Sequence, residues 1–133
     1  MPILVENGVM NLASPYPVDD TTRLLVRAFE NAGITVFACI NQKAAAEAAG
    51  VAMRPMVLVL FGNPKIGTPL MQAYPTLAID LPLKALVWQD PDGQVWLSTN
   101  SPEYLRERHG MPEVPFVGVD ALLKRALESN KPE

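Results

Sequence analysis

Few side chains in this sequence are suited to chemistry. The run Gly62-Asn63-Pro64-Lys65-Ile66-Gly67-Thr68 follows an apolar stretch, Met56 to Phe61. Its glycines are spaced like those of a phosphate-binding loop, in which backbone N–H groups cradle an anion ahead of a helix. Such a loop needs a lysine and a hydroxyl directly after the second glycine. Here Gly67 leads into Thr68 and Pro69, and Lys65 lies inside the run. We therefore expect a rigid structural corner, with glycines permitting unusual dihedrals and prolines stiffening the chain. A local small-anion or polar-ligand site beside it would use Asn63, Lys65, Gly67 and Thr68.

Two further residues join this candidate site. Asp80 stands in the apolar segment Leu77 to Leu83, where a buried carboxylate needs a partner or titrates upward. The simpler expectation is that it caps a turn before Leu81-Pro82. His109 is the only histidine; it has the chemistry of a general base or ligand, but beside Gly110 it also suits the C-terminal end of a helix, where a cation complements the dipole. Cys39, the only cysteine, is expected to be a buried small hydrophobe. Met53, Met56 and Met71, with Trp88, Trp96 and Tyr74, are expected to fill the core rather than line a pocket.

The elements that must position these residues can be read from pattern. Gly8 to Ser14 reads as a strand, interrupted by Pro15-Tyr16-Pro17. Leu24, Leu25, Ala28, Phe29 and Ala32 recur at helical spacing, with acids in the first turn and Gly33 as a stop, predicting a helix over 18–32. Ile34 to Ile40 is a second strand, and Gln42 to Ala49 a short helix ended by Gly50. Met53 to Phe61 is apolar enough for a central strand buried on both faces. Thr68 as cap and Pro69 as first residue predict one or two helical turns to Tyr74.

Leu83 to Gln89 and Gln94 to Thr99 flank Asp90-Pro91-Asp92-Gly93, which predicts an antiparallel hairpin. Pro102 to His109 follows as a helix capped by Ser101 and stopped by Gly110. Val119, Leu122, Leu123, Ala126 and Leu127 share one face of a closing amphipathic helix. The order is β-α-β-α-β-α-β-β-α-α, a single α+β domain over 1–133 with a mainly antiparallel sheet and a frayed tail at 129–133.

Composition narrows the function classes. At 133 residues, 49% hydrophobic and 19% charged, the chain is ordinary for one globular domain. A formal charge of -3 argues against nucleic acid as a partner. No apolar run is long enough for a membrane span, and Met1 to Asn11 lacks a leader pattern, so a cytoplasmic location without membrane contact is expected. One cysteine and one histidine give little basis for a metal site, and no cofactor is expected.

Phe61-Gly-Asn-Pro-Lys-Ile-Gly-Thr-Pro-Leu-Met71, continued by Ala78-Ile-Asp-Leu-Pro-Leu83 and a strand containing Trp88, resembles the family called domain of unknown function 302. Gly33 to Phe37 and Tyr104 to Gly110 add to the likeness, which covers nearly the whole chain. The resemblance implies a small α+β domain with a curved antiparallel sheet backed by helices on one face. It also implies Ile-Asp-His at the end of the second strand, where this chain has Ile40-Asn41-Gln42.

Three functional readings follow. The first is a non-catalytic module that binds a small apolar or amphipathic ligand between sheet and helices, or forms a homodimer through a sheet edge or face. The second is an enzyme in which Lys65, Asp80 and His109 converge on one pocket. The third is a metal or haem carrier using His109, Cys39 or a methionine.

Overall fold

The computed structural model describes residues 3–128; the expected frayed tail at 129–133 lies outside them. The strands are β1 (Leu4–Glu6), β2 (Val9–Ser14), β3 (Thr35–Asn41), β4 (Met56–Gly62), β5 (Leu83–Gln89) and β6 (Val95–Asn100). The helices are α1 (Val18–Asn31), α2 (Gln42–Ala48), α3 (Pro64–Ala73), α4 (Pro102–His109) and α5 (Val119–Glu128), with a 3-10 helix over Pro75–Asp80. All strand pairs are antiparallel, in the order β1-β2-β6-β5-β4-β3.

The pleat sorts side chains onto two faces. Val57, Val59 and Phe61 of β4 stand opposite Val87, Ala85 and Leu83 of β5, and Val87 opposite Leu97 of β6. This face meets Leu25 and Phe29 of α1 and Leu123, Ala126 and Leu127 of α5 in one buried cluster. The Phe29 and Phe61 rings stack at 4.1 Å between centroids and 20° between planes, fixing α1 over β4.

The opposite parity forms a second row, Met56↔Trp88↔Trp96 and Leu58↔Leu86↔Ser98. There the apolar side chains are only half-buried. Trp88 Nε1 donates to Ser98 Oγ at 2.9 Å, and Ser98 Oγ donates to Asn11 Oδ1 at 2.5 Å. The tryptophans, Met53 and Met56 therefore lie outside the buried core that their types predicted. The same geometry corrects the reading of Met53 to Phe61: β4 starts at Met56, lies next to the edge strand β3, and buries only alternate residues. An unbroken apolar run does not separate a core-facing residue from one on the open face.

β1 is absent from the pattern reading. It joins β2 through Asn7 and Gly8, with φ of 54° and 78°, the two left-handed residues that a two-residue hairpin turn demands. Gly8 is doubly constrained, because a Cβ there would meet Tyr104 Cδ1 at 2.7 Å. Its carbonyl accepts from the Ser101 N–H at 2.7 Å, so the turn anchors the start of α4.

In the β5–β6 hairpin, Asp90 Oδ1 accepts the backbone N–H of Asp92 and Gln94, and Oδ2 accepts the indole N–H of Trp96 at 3.0 Å. The Trp96 bond, aided by those backbone donors and by Arg54, holds the Asp90 carboxyl below its usual range. A depressed folded-state value stabilises the fold above the unfolded carboxyl's pKa of about 3.9, and that contribution is lost as pH falls through the folded value. Asp90→Asn should therefore give a lower urea midpoint than the parent at neutral pH. The two midpoints should converge in titrations carried below about pH 4.

Candidate functional site

The glycine run does not form a loop. Asn63 caps α3: its Oδ1 accepts from the Lys65 N–H at 3.0 Å, and its carbonyl accepts from Ile66 and Gly67 at 2.9 and 2.8 Å. Pro64 takes the first helical position, where a missing N–H costs nothing. Thr68 is thus not the cap, and Pro69 sits inside the helix. Neither Gly62 nor Gly67 has a positive φ, so conformational freedom is not what either supplies. The amides of Lys65, Ile66 and Gly67 already have acceptors, which removes the donors a phosphate cradle would use.

What this corner builds is a groove of about 470 Å³, bounded by β3, the end of β4, α3, the Leu81–Leu83 segment and α5. Phe61, Met71, Leu83 and Leu122 contribute apolar wall. Phe37 reaches the groove through a β-bulge: Val36 pairs with Phe61 and Ala38 with Leu60, leaving Phe37 unpaired between them. Its ring lies over Gly62, where an added Cβ would sit 3.6 Å from Phe37 Cε2. Phe37, Ile66 and Val117 are 51%, 53% and 82% exposed, so the rim is wet and apolar. Among the described residues, Asn63, Thr68 and Arg125 are those with polar side chains on the lining, and no acid lines the groove.

A second cluster lies in the 3-10 helix and α4. The His109 side chain is 3% exposed and sits between Asp80 and Thr76. Nε2 lies 2.5 Å from Asp80 Oδ2 and Nδ1 lies 2.9 Å from Thr76 Oγ1. A carboxylate only accepts, so Nε2–H donates to Asp80 and leaves Nδ1 to accept the Thr76 hydroxyl in the neutral ring. Arg108 Nε approaches the same Asp80 oxygen at 3.2 Å, while its Nη1 donates to Tyr104 Oη at 3.0 Å. Asp80 thus pairs with side chains rather than merely capping a turn, and His109 is inserted rather than displayed.

Hydroxyl, imidazole and carboxylate in line is the arrangement that activates a nucleophile. In this chain the imidazole is almost fully enclosed while Thr76 is exposed, and the three side chains tie α4 to the 3-10 helix, a latch between two short helices. The structure brings Asp80 and His109 together and places Asn63, Gly67 and Thr68 on the groove, while Lys65 is exposed and lines neither site. Cys39 is exposed on β3, against the expectation of burial, because an edge strand has cover on one side only. Partial desolvation raises its thiol above the ordinary value, the opposite of activation. Asn41 caps α2, its Oδ1 accepting from Ala44 at 2.9 Å. Among the described residues no group of three or more His, Cys, Asp or Glu is placed to hold a metal ion.

A six-stranded antiparallel sheet with helices on one face and a groove at one end defines an α+β class. Residues 10–130 match the model of the family described as Domain of unknown function DUF302, and the chain belongs to that family. A crystal structure of a DUF302 protein from Bacillus stearothermophilus has the same fold, with a TM-score of 0.79 and 17% identity over 95% of this chain and 100% of that one. Proteins from Brucella suis and Brucella melitensis, called Fluoride-specific ion channel FluC 1 and FluC 2, are 34% identical over 123 residues. That stretch is 92% of this chain but 48% and 46% of those proteins, so the chain spans about half the length of these relatives.

Proposed function

We propose that the chain is a non-catalytic binding domain that holds a small apolar or amphipathic ligand in the groove between β4, α3 and α5. The observation that carries this reading is the convergence of three exposed apolar side chains, Phe37, Ile66 and Val117, on one concave site. Isolated exposed apolar residues are unremarkable, but a cluster around a cavity of this size has the character of a ligand site. Mass spectra of protein purified from its native source, recorded under native and denaturing conditions, test it. A retained small molecule that is released on denaturation is expected, and repeated preparations with no bound molecule would count against the reading.

A second reading concerns assembly. β3 pairs only with β4, and Phe37 and Ile40 are 51% and 40% exposed along it. A second copy adding its own β3 would satisfy the free strand edge and cover Ile40. Exposed Cys39 reports on this directly: maleimide labelling should slow as protein concentration rises through dimer formation. A rate independent of concentration, with a monomeric mass, would contradict a β3 dimer. Fluoride conduction, named for the longer Brucella proteins, is not proposed for this domain; among the described residues no helix is long and apolar enough to cross a membrane.

A further inference from the structure

We infer that the groove selects an amphiphile with an anionic headgroup, and that Arg125 is the residue that selects it. This rests on the groove being a ligand site. Arg125, on α5, lines the groove and is exposed at its edge. It has no ion-pair or hydrogen-bond partner among the described residues, whereas Arg23, Lys43, Arg106 and Arg108 each pair with an acid.

The electrostatic setting is asymmetric. The chain carries a net charge of -3, yet among the described residues no carboxylate lines the groove. Lys65, exposed on α3, is not among the lining residues, so among the described residues Arg125 is the cation of the lining. The Thr68 hydroxyl, also on the lining, is a neutral donor. A ligand with an apolar chain buries it against Phe61, Met71 and Leu83 while its head stays at the wet rim, where a guanidinium offers paired donors to a carboxylate or phosphate. A cationic head would meet repulsion there. A neutral hydroxyl head can accept one hydrogen bond from Arg125 but forms no ion pair with it.

Calorimetric titration with dodecanoate, dodecanol and dodecyltrimethylammonium, each kept below its aggregation threshold, separates the cases. Dodecanoate should bind about tenfold more tightly than dodecanol, the worth of one charge-assisted contact. Arg125→Gln, on an exposed helix position, should erase that preference, and added salt should narrow it in the parent. Equal affinity for dodecanoate and dodecanol in the parent, or a preference that survives Arg125→Gln, would overturn the role of Arg125 and leave the groove reading intact. Preference for the ammonium probe would overturn the anion selectivity. Failure of all three probes to bind would remove both this inference and the groove reading beneath it.

Discussion

Replacing His109 with alanine should lower the unfolding free energy by about 3 kcal/mol, with a fall in melting temperature of roughly 10 °C. The size follows from what is left behind. Asp80, 15% exposed, would lose the imidazole donor and keep only Arg108, and Thr76 would lose its acceptor. A buried polar group stripped of its partner costs more than the net worth of the bond it made. Asp80→Asn should cost less, since an amide oxygen still accepts from Nε2. In the double variant Asp80→Asn/His109→Ala the losses should not add, because one contact accounts for much of both. Urea denaturation of the four proteins gives the coupling directly. Additive losses would show that the latch is not a unit.

The second large effect concerns binding. Ile66→Asp and Val117→Asp together should weaken any groove ligand by about a hundredfold, since each places a carboxylate where the apolar part of a ligand must lie. Stability should barely change, because the two side chains are 53% and 82% exposed in the folded protein. That contrast separates a site from a fold defect. Loss of binding with an unchanged urea midpoint assigns the effect to the groove, whereas retained binding would place the ligand elsewhere.

The elements with strong local chemistry were legible in the sequence. Asp90 to Gly93 fixed the hairpin, and Ser101 and Gly110 bounded α4, because caps and tight turns are decided by a few adjacent residues. Asn7-Gly8 carries an equally local turn signal, but the strand before it has three residues, too few for alternation to show. α3 was obscured by its own composition. The spacing of Gly62 and Gly67 suggested a loop, while Asn63-Pro64, a cap and a first helical residue, held the correct boundary.

The site was less legible, since it depends on how elements dock. Asp80 and His109 are 29 residues apart in sequence and meet only because α4 lies against the 3-10 helix. Thr76, the third member of that cluster, has nothing in its sequence context to distinguish it. Phe37 enters the groove because β3 carries one residue more than β4 can pair, a mismatch visible only once the strands are aligned. Arg125 lines the groove only because α5, α3 and the end of β4 border one cavity, which no local pattern shows.

The most direct measurement is a titration of isotopically labelled protein with dodecanol, the uncharged probe, followed by amide chemical shifts. Shifts concentrated at Phe37, Gly62, Ile66, Gly67, Leu83 and Val119, the residues around the groove, are the expected result. Shifts confined to the open sheet face around Trp88 and Trp96, or no saturable shifts at all, would contradict a ligand site in the groove.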